Sequence, residues 1–246
     1  MQFLLLATDY DGTLAQDGYV EERTIAALER LRASKRKLVL ATGRHLLDLA
    51  NIFPRLNLFD RVVVENGGLL YRPATREQEL LCKPPNEQFL SLLRKRKIPF
   101  VPARTVVASW QPHEEAVKAA IRDLGLDLQV TLNKGAVMVL PAGVDKATGL
   151  QAALVELGVS AHNVAAVGDA ENDLSFLHMA ECGAAVGNAL PALKEQADIV
   201  LDASHGDGVI ALIERIIADD LADFVSGRDP KNVHNGTAAR ADLTSK

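Results

Sequence analysis

The strand-like segments of this chain are short and apolar at every residue: Phe3 to Ala7, Leu38 to Ala41, Val62-Val63-Val64 and Val164 to Val167. A strand with one wet face alternates apolar and polar residues, whereas a continuous apolar run belongs to a strand covered on both faces. Between these runs the spacing changes to that of helices. Ile25, Leu28 and Leu31 mark one, Leu46, Leu49, Ala50 and Phe53 a second, and Leu150, Leu154 and Leu157, closed by Gly158, a third. Alternation of buried strands with helices predicts an α/β fold built on a parallel sheet.

The rhythm breaks between Tyr71 and about Val144, where Pro73, Pro84, Pro85, Pro99 and Pro102 punctuate longer strand candidates of mixed polarity. This stretch reads as an inserted α+β domain, residues 71–144. It would hold a helix near Asn86 to Arg96, a strand from Thr105 to Trp110, a helix through Val117, Ala120, Ile121 and Leu124 ended by Gly125, and a hairpin around Asn133 to Gly135. Residues 1–70 and 145–225 then form one discontinuous α/β domain, with further short strands at Ala184 to Val186 and Ile199 to Leu201. A last helix carries Val209, Leu212, Ile213, Ile216 and Ile217 on one face, with Asp207 as its expected N-cap. Residues 226–246 are polar and aperiodic and read as a flexible tail.

With 48% hydrophobic residues among 246, the chain has ample material for a core. Its formal charge of −5 supplies no general attraction for nucleic acid or an anionic membrane, so a small solute is the expected partner. Cys82 and Cys182 stand far apart and the histidines lack metal-ligand spacing, which leaves neither a disulfide framework nor a zinc site. The N-terminus lacks a basic region and its apolar run stops at Asp9, so a cytoplasmic protein without a signal peptide is expected.

Four polar clusters follow four strand candidates: Asp9 with Asp11, Thr42-Gly43-Arg44, Glu65-Asn66-Gly67-Gly68, and Asp169 to Asp173. In an open parallel sheet the carboxyl ends of the strands share one edge, where ligands bind. Asp9, Asp11, Asp169 and Asp173 crowded there repel one another, by about 4 kcal/mol per pair at ~4 Å and an effective dielectric near ~20. All-oxygen ligands favour Mg²⁺ as the compensating ion, and Lys146 is the natural second cation. Such a site suits a dianionic phosphoryl group, whose transfer depends on positioning and charge neutralisation.

Asp9-Tyr-Asp-Gly-Thr13, Thr42-Gly43-Arg44, Lys146 and Gly168-Asp169-Ala-Glu-Asn-Asp173 together resemble the four motifs of the haloacid dehalogenase superfamily. Their order, with an insert between the second and third motifs, resembles the Cof-type (subfamily IIB) phosphatases with a C2B cap. The resemblance implies a Rossmann-like core of central strand order 3-2-1-4-5 and hydrolysis of a small phosphorylated metabolite such as phosphoglycolate or a sugar phosphate. It implies Asp9 as nucleophile, Asp11 as general acid and base, and Thr42, the Gly43 amide and Lys146 as phosphate ligands. Mg²⁺ would be held by Asp9, the backbone carbonyl of Asp11 and Asp169, with Asp173 and Asn172 orienting its waters. Ala170 departs from the Gly or Ser usual in that loop. A phosphomutase and a catalytically silent metabolite-binding regulator are the alternatives.

Structural readings compete at several of these positions. The aspartates are also turn and cap formers, Thr42 is a possible N-cap, and Asn66-Gly67 is a turn signal. Asn188 resembles a family loop near the lysine and equally suits an N-cap for a helix from Ala189 to Ala197. Arg44 and Asn66 are candidate substrate contacts, and His45 is a candidate or simply a half-exposed helix residue. In the insert, Arg72, Arg104, Trp110 and Lys134 are the candidates for specificity, while Arg94-Lys95-Arg96-Lys97 reads as a solvated face.

Overall fold

The computed structural model describes residues 1–227. Its larger sheet begins with β1 (Leu5–Thr8), followed by α1 (Glu22–Ala33), β2 (Lys37–Ala41), α2 (Leu46–Ile52), β3 (Arg61–Val64), β4 (Leu69–Arg72) and β5 (Glu77–Leu80). A second unit follows: α3 (Glu87–Lys95), β6 (Val101–Pro102), β7 (Val107–Trp110), α4 (Glu114–Asp123), β8 (Leu128–Asn133) and β9 (Ala136–Pro141). The chain returns through α5 (Lys146–Leu157), β10 (Val164–Gly168), α6 (Leu174–Met179), β11 (Cys182–Ala185), α7 (Pro191–Lys194), β12 (Ile199–Val200), α8 (His205–Asp219) and α9 (Ala222–Gly227).

The larger sheet has the order β12-β11-β10-β1-β2-β3-β4-β5, and all pairings from β12 to β3 are parallel. Its centre matches the 3-2-1-4-5 order. Leu5 stands between Val164 and Lys37 in register, and β1 and β10 are buried at every residue. That double burial is what the unbroken apolar runs demanded, with helices packed on both faces. The smaller sheet, β6-β7-β9-β8, is antiparallel throughout. It has its own apolar cluster, in which Phe89, Leu93, Val117 and Ala120 from α3 and α4 meet Val107, Val137 and Val139. The molecule is therefore an α/β Rossmann-like core with a cap-like second sheet.

Residues 71–80, read from sequence as the start of the insert, instead continue the larger sheet as an antiparallel hairpin, β4 and β5. The strand expected from Thr105 starts at Val107, because Ala103 to Val106 close the β6–β7 turn through an Ala103 amide to Val106 carbonyl bond of 2.8 Å. Two expected caps also differ. Ser204, not Asp207, is the N-cap of α8, and Asp207 lies in its first turn. Asn188 does not cap α7, since Pro191 opens that helix with Leu190 at its N-cap, where a proline costs no helical hydrogen bond. No helix among the described residues is long and apolar enough to cross a membrane. Of the expected tail, Ser226 and Gly227 instead end α9, and from residue 228 on it lies outside the described residues.

Candidate active site

Parallel pairing sets the carboxyl ends of β1, β2, β3 and β10 side by side, so Asp9, Thr42, Glu65 and Asp169 emerge along one edge. Opposite them stands Lys146, the first residue of α5. Asp145 caps that helix, accepting from the Thr148 amide at 2.9 Å while its own amide donates to the Thr148 hydroxyl at 3.0 Å. The cap matters because a lysine at a helix start opposes the dipole and needs another reason to be there. Gly67, at φ +104°, supplies the close approach: a side chain on it would collide with the Asp145 carbonyl. Helix α5 is thus pressed against the loop after β3, and Lys146 reaches the edge of the sheet.

Lys146 is 1% exposed, and its Nζ donates to Asp9 Oδ1 at 2.6 Å and to Asp173 Oδ1. Burial works against its charge, but Asp173 and Asp9 more than offset that and hold its pKa above the usual lysine value. Asp173 is fully committed, because its Oδ2 accepts from the Asp169 and Ala170 amides at 2.8 and 2.9 Å. Asp9 is less fully compensated, with Lys146 bonded to its Oδ1. Burial first, then repulsion from Asp173, raises its pKa to about 8 against the pull of Lys146. Burial also raises Asp169, with a hydrogen bond from Lys134 opposing it.

Asp9, Asp169 and Asp173 each bring an oxygen within 4.8 Å of the others. Asp169 Oδ1 is buried without a hydrogen-bond partner. A buried carboxylate oxygen left unpaired is costly, and a cation is the group that satisfies it. The donor set is entirely oxygen, so the residues fit a hard divalent ion.

Asp11 lies apart from this cluster. Its carboxylate is gripped by Arg44 in a two-point fork, Nε to Oδ2 and Nη2 to Oδ1, both at 2.6 Å, with the guanidinium 5.6 Å from the centre of the Tyr10 ring. Thr42 is buried and its hydroxyl accepts the Arg44 amide at 3.2 Å, so it shapes the turn without capping α2, whose N-cap is His45. Asn172 Nδ2 donates to Asn66 Oδ1 at 3.0 Å, which leaves Asn66 Nδ2 and Asn172 Oδ1 buried and unpartnered. Asn188 supports the loop after β1: its Nδ2 donates to the Gly12 carbonyl at 2.8 Å and its Oδ1 accepts from the His205 amide at 2.7 Å.

The second sheet closes over this edge at three points. Met138 of β9 lies against Gly43, its Cε 3.0 Å from where a Cβ would stand. The β6–β7 turn docks on Glu65, whose Oε2 accepts from the Thr105 amide and hydroxyl, both at 2.7 Å. Lys134, at the tip of the β8–β9 hairpin, pairs with Asp169 Oδ2. Arg104 bonds Gln78 at 2.5 Å, Arg72 pairs with Glu79 and Glu156, and Trp110 is exposed, so of the four insert candidates Lys134 alone is seen at the acidic cluster. Met138, the Glu65 dock and His205 were not legible beforehand, because each depends on a contact across the fold.

A family model described as haloacid dehalogenase-like hydrolase matches residues 6–105 and 100–213. The chain is 33% identical over 223 residues to a phosphoglycolate phosphatase of Natronomonas pharaonis, covering 85% of this chain and 96% of that one. It is 29% identical over 220 residues to the phosphoglycolate phosphatase of Methanosarcina acetivorans, at 87% and 96% coverage. A haloacid dehalogenase-like hydrolase from Bacteroides thetaiotaomicron has the same fold, with a TM-score of 0.73, 25% identity and coverage of 87% and 99%. The chain belongs to the haloacid dehalogenase-like hydrolases. Within them it is of the Cof type. The family generally uses a divalent metal, and the buried cluster of Asp9, Asp169 and Asp173 is a group that could hold one.

Proposed function

We propose that this chain hydrolyses small phosphate monoesters with Mg²⁺ through an aspartyl-phosphate on Asp9. It is a phosphoric monoester hydrolase. The observation that carries the detailed reading is the buried cluster of Asp9, Asp169 and Asp173 around Lys146, with Asp169 Oδ1 unsatisfied. Asp9 and Asp169, with the Asp11 carbonyl, would hold Mg²⁺, while Asp173 orients the loop and Lys146, its oxygens being already engaged. When bound, the ion supplies charge neutralisation for the nucleophile and the phosphoryl oxygens.

Asp9 attacks phosphorus, forming its P–O bond as the ester P–O bond breaks, and Asp11 gives the leaving alkoxide its proton. Water then attacks the aspartyl-phosphate, Asp11 takes the proton from that water, and inorganic phosphate leaves with Asp9 restored. Lys146 favours the charged form of Asp9 against its burial and faces the phosphoryl group, with Thr42 and the Gly43 amide on its oxygens. Asp11 must leave the Arg44 fork to reach the ester oxygen, which makes Arg44 its resting partner. Asn66 and Asn172, each with an unpaired polar atom, offer further contacts to the bound ester. The apolar Met138 over Gly43 keeps bulk water from the intermediate.

The test is phosphate release from a panel of monoesters, with and without Mg²⁺, for the wild type and Asp9→Asn. Release that requires Mg²⁺ and falls at least about 10³-fold in Asp9→Asn is expected, as for loss of a covalent nucleophile. Undiminished release by Asp9→Asn would sink the aspartyl-phosphate route.

A further inference from the structure

The β8–β9 hairpin turns in two residues, Lys134 and Gly135, between the paired Asn133 and Ala136. Both have positive φ, +46° and +89°, the pattern of a type I′ turn. Asn, Asp or Gly is favoured at the first of these positions, and a long side chain there is strained. A lysine in that place is against local preference, and its position decides what that means.

Its position shows what it is near. Lys134 Nζ pairs with Asp169 Oδ2 and stands 2.6 Å from where a Cβ on Gly12 would be, directly above the nucleophile loop. Its amide points to Glu171 Oε2 at 3.4 Å, which fixes the tip against the loop after β10. The core already supplies cations for the other acids: Lys146 for Asp9 and Asp173, and Arg44 for Asp11. Lys134 is the cation contributed by the second sheet. Once Asp169 serves a metal, the lysine's partner is withdrawn while its backbone stays docked, and the charge is left facing the part of the ester beyond the phosphoryl group.

We infer that Lys134 is a specificity residue that receives a second anionic group on the substrate, so that the preferred esters are short phosphomonoesters bearing a carboxylate. The inference rests on the phosphatase reading above. Tail length is limited by the same geometry, because Lys134 over Gly12 and Met138 over Gly43 leave the second sheet close to the reacting atoms. A carboxylate one or two carbons from the ester oxygen meets the ammonium, whereas a neutral tail of equal size gains nothing from it. Phosphoglycolate, the substrate in the names of the two relatives above, has this chemistry.

The experiment compares kcat/KM for 2-phosphoglycolate and for ethyl phosphate, in the full chain, for the wild type, Lys134→Asn and Lys134→Arg. Asn suits the left-handed turn, so loss in that variant is not misfolding. The expected result is a wild-type preference for phosphoglycolate that drops at least tenfold in Lys134→Asn, mainly through KM, and is largely kept in Lys134→Arg. A preference ratio within twofold of the wild type in Lys134→Asn overturns the inference. So does a wild type that favours ethyl phosphate, although the phosphatase reading then stands. Hydrolysis of neither ester, nor of any other monoester in the panel, removes the phosphatase reading itself and this inference with it.

Discussion

Lys146 and Lys134 each hold a buried aspartate of one crevice, and they do so in opposite surroundings. Lys146 is 1% exposed and has two carboxylates, on a helix start that a capping box and a close glycine contact hold in place. Lys134 is 44% exposed and has one carboxylate, on a two-residue turn. Removing Lys146 leaves two buried carboxylates without their shared cation, at a cost of about 3–5 kcal/mol, whereas Lys134 is reached by water and only its partner Asp169 is buried. The first lysine is therefore part of the fold as well as the site. The second is free to exchange its partner for a ligand.

The most severe test of that contrast is Lys146→Met. We expect it to lower unfolding free energy by about 3 kcal/mol or more and kcat by at least about 10²-fold, the size seen when one preorganised charge-stabilising donor is lost. Denaturant unfolding and initial rates measure the two effects. A variant as stable as the wild type would mean that Asp9 and Asp173 find other partners, and that the lysine is not a structural fixture.

The first domain and the floor of this site were legible because their signals are local. Val164 to Val167 reads as a doubly buried strand without knowledge of its neighbours, and Gly158 announces the end of α5 by its left-handed conformation. Where expectation failed, two local signals competed. Asn188 looked like an N-cap until Pro191 set the start of α7, and Asp207 yielded to Ser204 three residues earlier. Residues 71–80 were placed in the insert on Pro73 and their polarity, but β5 is an exposed edge strand, and edges tolerate the polarity that central strands exclude. The cover of the site was beyond local reading. Lys134 could be named as one of four candidates in the insert, but only the register of β8 on β9 and their docking over Gly12 distinguish it from Arg72, Arg104 and Trp110.

An ion pair far from the site calibrates the scale between the two lysines. Arg36, 8% exposed, bonds Asp220, 22% exposed, at 3.0 Å, and Asp220 also accepts the Gln2 and Phe3 amides. Burial alone would raise the Asp220 pKa, but the Gln2 amide, Arg36 and the Phe3 amide together hold it below the ordinary value of 3.8. Because the folded pKa is the lower one, this stabilisation is present above about pH 4 and is lost as pH falls through the folded value. Asp220→Asn is expected to cost about 1–2 kcal/mol at pH 7, in keeping with hydrogen bonds to a partly buried charge. The gap should close as pH drops below 4. A gap that widens toward acid would show that some other carboxylate dominates acid unfolding and that this pair is a poor calibrant.

The smallest effect is the most discriminating, because salt acts on exposure. The screening length falls from roughly 10 Å at ~0.1 M ionic strength to roughly 3 Å at ~1 M, and buried pairs feel much less of it. The stability difference between wild type and Lys146→Met should therefore stay constant from ~0.05 to ~0.5 M NaCl. Over the same range the wild-type preference for phosphoglycolate over ethyl phosphate should shrink by a factor of up to about five, equivalent to the ~1 kcal/mol that a half-exposed charge contact contributes. Lys134→Asn, having no ammonium at the hairpin tip, should show a preference that hardly changes with salt. If the two lysines respond to salt alike, exposure does not divide them, and the assignment of one to the fold and the other to the ligand loses its physical basis.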